Sequence, residues 1–173
     1  GLIMAKCNAV ADAEVIEALY EASRAGVRVR LNVRGICMLV PGVEGMSENI
    51  EVTSIVDRFL EHSRIYYFQN GGNEEIFLAS ADWMPRNLER RVELAFPIEE
   101  TNLKHRLVKN LETFFSDNVK ARILHSDGSW TRKKHRGEPR RSQEIFQREA
   151  ESQAAQVTPE EKAEFRVRRK PPQ

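Results

Sequence analysis

The chain has 173 residues, enough for one domain with an appendage and too few for two full-sized domains. Hydrophobic residues make up 40% and charged residues 31%, which allows a core but predicts a solvated segment, and the apolar runs are too short to span a membrane. The net charge of +1 is unevenly spread: residues 132–173 carry twelve Lys and Arg against seven Asp and Glu, the remainder fifteen against nineteen.

Residues 1–5 are an apolar run with no initiator methionine or polar lead-in, which predicts a buried strand at once and a polypeptide cut from a longer one near a domain boundary. No secretory signal pattern opens the chain. Cys7 and Cys37 are too few for a disulfide framework or a four-cysteine zinc site, so a reducing cytoplasm is expected. Asp12 is placed to cap a helix carrying Val15, Ile16, Leu19 and Tyr20, and Gly26 to end it. Val27, Val29, Leu31 and Val33 then alternate with polar residues, which completes a strand–helix–strand unit and favours a parallel pair. Ile50, Val52 and Ser54 suggest a short strand, and Ile55, Val56, Phe59 and Leu60 have helical spacing. Residues 64–68 are β-prone, and Asn70-Gly71-Gly72-Asn73 predicts a turn into a returning strand at Ile76. A short helical turn follows Pro85; residues 92–96 form a strand stopped by Pro97; residues 102–115 form an amphipathic helix; and residues 119–124 form a last strand. The body, residues 1–131, is therefore α/β with a mixed sheet, and residues 132–173 are a basic tail, loosely helical or disordered, that adds little to the core.

Three clusters are candidates for chemistry. In Glu61-His62-Ser63-Arg64, an imidazole stands two residues from a guanidinium, so on a strand both would share a face. The pair suits proton handling beside a bound phosphate, and a surface histidine at a helix end fits the same pattern. Arg34, followed by Gly35, ends an alternating strand where ligands of parallel sheets gather, though a solvated strand end is equally consistent. Residues 80–91 bring Ser80, Asp82, Trp83, Arg86, Arg90 and Arg91 into one loop, either an anion site or a turn with solvated arginines. Lys6 and Asn8, ending the first strand, are placed to join the site or to pack. No Walker loop, dinucleotide-binding glycine pattern or zinc-ligand spacing is present, and His105, His125 and His135 receive no role.

The stretches Ile16-Glu17-Ala18-Leu19-Tyr20-Glu21-Ala22-Ser23, Val33-Arg34-Gly35-Ile36-Cys37, residues 58–68 and residues 80–91 together resemble the C-terminal domain of bacterial polyphosphate kinases of the phosphohistidine, long-chain type, over about residues 1–125. The resemblance implies the second of two phospholipase-D-like domains: a mixed β-sheet flanked by helices. His62-Ser63-Arg64 is similar to the first part of the phospholipase-D pattern, with Arg in place of Lys, and Ala79-Ser80-Ala81-Asp82 to the second, with Asp in place of Asn. It further implies that ATP phosphorylates a histidine in a preceding domain with no counterpart here, that His62 is the second essential histidine, and that Arg34, and less directly Arg64, bind the ATP phosphates. Ser80, Asp82, Arg90 and Arg91 would support the site. The implied partners are ATP or ADP, inorganic polyphosphate, preceding domains of the same chain and further copies in an oligomer, with no specific nucleic acid. Magnesium would accompany the nucleotide, its ligands lying outside this chain; this chain is expected to hold no metal of its own and to make no polyphosphate alone. The other readings are a phospholipase-D-like phosphodiesterase or nuclease half, and a non-catalytic polyanion-binding module whose basic tail could also touch lipid headgroups in a peripheral membrane contact.

Overall fold

The computed structural model describes residues 1–134 and 137–156. The opening apolar run is β1 (Leu2–Cys7), with Met4, Ala5, Lys6 and Cys7 all buried. Asp12 caps α1 (Ala13–Arg24) by accepting from the Val15 amide at 3.0 Å. Gly26, at φ +78°, turns the chain into β2 (Arg28–Val33), which runs parallel to β1 with Leu2 opposite Arg28. β3 (Ile50–Ile55) adds in parallel to β2. The chain then crosses to the other side of β1, where β4 (Ile65–Phe68) lies antiparallel to it, and a 3-10 turn at Asn70–Gly72 returns β5 (Glu75–Ala79). Next come α2 (Pro85–Arg90), β6 (Ala95–Pro97), α3 (Thr101–Ser116), β7 (Ala121–Leu124), β8 (Trp130–Arg132) and α4 (Ser142–Gln156). The sheet order is β6-β5-β4-β1-β2-β3-β7-β8, mixed as expected.

The two faces bury different sets. Ala5, Cys7, Leu31, Val33, Val52 and Tyr66 pack with Leu19 of α1 on one side; Met4, Ile65, Tyr67 and Ile76 pack with Leu111 and Phe115 of α3 on the other. These alternate positions of the same strands are what period-two patterning delivers when both faces are covered.

Four expectations are corrected. Residues 56–64 form no helix, despite the spacing of Ile55, Val56, Phe59 and Leu60. Ile55 closes β3, and the Phe59 amide donates instead to Gln143 Oε1 at 2.9 Å, so the helical ladder has lost its donor. β6 starts later than residue 92 and includes Pro97, tolerated because this strand is the sheet edge and needs no further N–H. The β7–β8 hairpin was not anticipated, because β8 has only three residues. Finally, the start of the expected tail docks on the body. Ser142 and Gln143 are buried, the Phe146 ring lies 4.9 Å from that of Phe114, and Arg141 forks onto Asp57 at 2.7 Å from both Nε and Nη2. Asp117 stitches the join: Oδ2 accepts from the Ser142 amide and hydroxyl, and Oδ1 from the amides of Val119, Lys120 and Ala121. Low apolar density over 141–146 concealed a docking made mainly of polar bonds. The expectation for residues 157–173 lies outside the described residues.

Candidate functional site at the strand ends

β1 and β2 end together, at Cys7 and Val33, and the segments that follow them meet. Gly35 donates to the Asn8 carbonyl at 2.8 Å, and a Cβ on it would come within 3.0 Å of that oxygen. The glycine thus eases a close backbone-to-backbone approach at this point. Asn8 in turn donates its amide to Asp82 Oδ1 at 2.7 Å.

Asp82 anchors a polar relay. Arg64 forks onto its carboxylate, with Nε 3.1 Å from Oδ1 and Nη2 3.0 Å from Oδ2. The remaining nitrogen, Nη1, lies 3.0 Å from the His62 carbonyl and 3.1 Å from His62 Nδ1. Burial alone would raise the Asp82 carboxyl, but the Arg64 fork and the Asn8 amide hold it below the usual carboxylate range. The residue pair expected on a strand sits in the loop before β4, and the guanidinium, rather than a shared strand face, joins it.

The same loop is pinned from three other directions. Arg34 Nη1 donates to the Glu61 carbonyl at 2.6 Å. Lys6, 1% exposed, places Nζ 3.3 Å from Glu61 Oε2 and 5.0 Å from the centre of the Phe114 ring. Burial lowers the Lys6 pKa, and Glu61 opposes that shift. Gln143 Nε2 donates to the other Glu61 oxygen and to the Phe59 carbonyl, both at 2.9 Å. Glu61 is therefore shared between a buried ammonium and an amide, and His62 follows it directly.

Two cavities flank this segment. One, of about 420 Å³, is lined by Arg34, Gly35, Ser54, Val56, Lys120, Arg122 and Trp130. The other, of about 510 Å³, is lined by Phe59, Glu61, His62, Ser63, Phe114 and residues of α4. Arg34 and His62 therefore approach through the Glu61 backbone but open onto different cavities. Ser80 is exposed; its hydroxyl donates to Glu93 and accepts from the Leu94 amide at 2.9 Å. Arg90 and Arg91 are exposed at the end of α2 and just past it, and neither bonds to His62, Arg64 or Asp82 among the described residues. Neither Ser80 nor these two arginines is brought to the histidine.

Residues 1–143 match the family model described as polyphosphate kinase C-terminal domain 2. The chain belongs to that family. It is 58% identical over 136 residues to a polyphosphate kinase of Rhodopirellula baltica, covering 79% of this chain and 16% of that one. It is 58% identical over 130 residues to the polyphosphate kinase of Pseudomonas aeruginosa, covering 75% and 19%. The polyphosphate kinase of Porphyromonas gingivalis superposes with a TM-score of 0.85 at 42% identity, over 91% of this chain and 24% of that structure. The chain thus spans less than a quarter of the length of these relatives. The phospholipase-D family member Nuc of Salmonella typhimurium (TM-score 0.56, 14% identity, 72% of this chain and 82% of that one) and NucT of Helicobacter pylori (0.53, 10%, 66% and 78%) share the fold.

Within this polyphosphate kinase domain, four residues that hold or line the site drew no role in the sequence reading: Glu61, Lys120, Arg122 and Gln143. Glu61 stood beside His62 in the quoted motif, but its partner Lys6 is 55 positions away. Lys120 and Arg122 alternate along the last recognised strand, a signal that period two alone could have supplied. Gln143 fell in the stretch read as tail.

Proposed function

We propose that this domain supplies His62 and Arg34 to the phosphoryl-transfer centre of a polyphosphate kinase. In that reaction the terminal phosphoryl group of ATP passes to a histidine nitrogen in a preceding domain and ADP departs. The phosphoryl group then passes to the terminal oxygen of a polyphosphate chain, the histidine nitrogen being the leaving group, and the sequence is reversible. The carrying observation is the relay Asp82–Arg64–His62. A guanidinium only donates, so Arg64 on Nδ1 leaves the neutral ring's proton on Nε2. That N–H is a hydrogen-bond donor for an oxygen of the transferring phosphoryl group. Arg34 keeps guanidinium N–H groups beyond the one held by Glu61, and these suit the charge on the transferring group's equatorial oxygens.

Magnesium would neutralise nucleotide phosphates in such a reaction. The described residues do not fit a metal held by this chain: they contain no group of three or more metal-ligating side chains, and the Asp82 carboxylate is taken by Arg64 and Asn8. No step here runs through the ion. The working enzyme is read as the longer polypeptide with its preceding domains, in an oligomer, in a reducing cytoplasm; both cysteines are free, and no helix among the described residues is long and apolar enough to cross a membrane. The phosphodiesterase reading is disfavoured because the residue in place of its lysine is a guanidinium locked onto Asp82, not a free ammonium.

The test is transfer of labelled phosphate from ATP into polyphosphate by the full-length enzyme. His62→Ala should abolish chain growth while the folded state, followed by circular dichroism, is kept. Growth at the parent rate would refute the assignment.

A further inference from the structure

Three successive carbonyls run past His62, and a different cation holds each. The Glu61 carbonyl accepts from Arg34 Nη1 at 2.6 Å, that of His62 from Arg64 Nη1 at 3.0 Å, and that of Ser63 from Lys6 Nζ at 3.4 Å. The donors come from three strands: Lys6 lies in β1, Arg34 follows β2 and Arg64 precedes β4. Residues 61–63 belong to no helix or strand, so no ladder fixes them and these side chains do it instead. Lys6 differs from the two arginines. It is 1% exposed and lines neither cavity beside the loop, so it meets no ligand held there. Its ammonium lies 3.3 Å from Glu61 Oε2 as well as 3.4 Å from the Ser63 carbonyl, and so grips the chain on both sides of His62. As a source of stability the pair is a poor one. Burial penalises the ammonium, attraction to Glu61 offsets part of that, and an apolar side chain of like volume would serve the core as well or better. An apolar side chain could not hold two points of a loop.

We propose that Lys6 is a positioning residue for the transfer step: through Glu61 and Ser63 it sets the place of the His62 ring, and it adds nothing net to the stability of the fold. The role rests on the kinase reading, in which His62 acts on the transferring group. Its mechanical part is distinct from that of the arginines. Arg34 lines a cavity and Arg64 touches the imidazole, so a bound anion can draw on either of them. Lys6 is sealed beneath the loop, 5.0 Å from the centre of the Phe114 ring, and keeps its hold whatever binds above. A second pair of the same construction gives the comparison. The Arg30 guanidinium is forked by Glu112 at 2.8 and 2.9 Å and lies 4.3 Å from the centre of the Phe115 ring, on the same helix, α3. The two cation–carboxylate pairs share a helix and an aromatic neighbour. They differ in that only the Lys6 pair includes a residue of the His62 loop.

The test is steady-state transfer of phosphate from ATP into polyphosphate by the full-length enzyme, with thermal melting in parallel. Lys6→Met alone strands the Glu61 carboxylate and should melt below the parent. Lys6→Met with Glu61→Gln removes both charges at nearly constant volume and should melt at or above the parent temperature. Its kcat should nevertheless stay roughly tenfold to a hundredfold below the parent, with KM for ATP within about threefold, as for a misplaced group rather than a lost binding contact. The amides of residues 59–64 should exchange with deuterium faster in this double variant, and those of α1 and β2 at the parent rate. Arg30→Met with Glu112→Gln should keep the parent kcat. The proposal is overturned if the Lys6 double variant keeps the parent kcat, if it loses activity only together with its melting temperature, if the loss is in KM alone, or if the Arg30 pair variant loses as much. His62→Ala, measured alongside, separates the failures. An active His62→Ala removes the kinase reading and the role of Lys6 with it. An inactive one beside a fully active Lys6 double variant removes only the role of Lys6.

Discussion

The two cavities beside residues 61–64 are similar in size and opposite in construction. The Arg34 cavity is walled by Ser54, Arg122 and Trp130 of β3, β7 and β8, whose register places them, and by residues just outside the strands, and its charged groups are all cations. The His62 cavity is walled by Phe59, Phe114 and Phe146, with amides from Gln143 and Gln147, so one side of it exists only because α4 docks. Backbone hydrogen bonds make one wall and side-chain bonds make the other. The first is suited to holding charge in place, and the second lays an apolar wall beside an imidazole that is itself exposed. The loop between them belongs to both, held by Arg34 from one side and by Gln143 from the other.

That contrast can be broken at the divider or at either wall. Arg34→Ala in the full-length enzyme should have the largest effect: on the proposed reading it removes a charged contact to the transferring group, raising the barrier by roughly 3–4 kcal/mol, about a hundredfold or more in rate. A steady-state rate within threefold of the parent would show that the cationic side is not part of the reaction centre.

Asp82→Ala comes next. It leaves the Arg64 guanidinium with a buried, unpaired fork and should cost about 3 kcal/mol of stability by denaturant unfolding. Asp57 and Asp82 both sit below their ordinary carboxylate values, so their contribution is complete above the unfolded pKa of about 4 and is lost as pH falls through the folded values. Parent stability should therefore drop on acidification below about pH 4, and Asp82→Ala should drop less steeply. Parallel pH profiles would contradict the assignment of that ion pair.

Truncation after residue 140 tests the second wall. It removes Phe146 from Phe114, and Ser142 and Gln143 from Asp117 and Glu61. It should lower stability by roughly 2–3 kcal/mol after the ordering of the helix is offset. An unchanged melting temperature would restore the reading of this stretch as a solvated tail. Gln143→Ala should cost the least, about 1–2 kcal/mol, since it frees the Phe59 backbone and one Glu61 oxygen without unseating the helix. A loss as large as that of the truncation would mean that this amide carries the whole docking.

What was legible in the sequence follows the same division. β1, α1 and β2 could be read because alternation, an Asp cap and a closing glycine act within a dozen residues, and the parallel pairing follows from their order. Arg34, His62, Arg64 and Asp82 could be singled out because residue type and motif mark them. Their grouping could not. Arg34 reaches the His62 loop through a main-chain carbonyl, which has no signature in any side chain, and Glu61 is defined by Lys6 and Gln143, 55 and 82 positions away. The loop at 56–64 was misread because helical spacing of apolar residues takes no account of a distant amide that claims the Phe59 backbone.

The two ends of the sheet carry a consequence of their own. β6 contributes Pro97, which has no N–H to offer, and β8 ends in Arg132, with Lys133 next in the chain. An imino acid at one margin and positive charge at the other deny an incoming strand the regular donors and the neutral approach that templated growth requires. An eight-stranded sheet with blunted margins resists polymerising through its own backbone, a useful property for a protein that leaves Val92, Leu94 and Phe96 open to solvent around one of those margins.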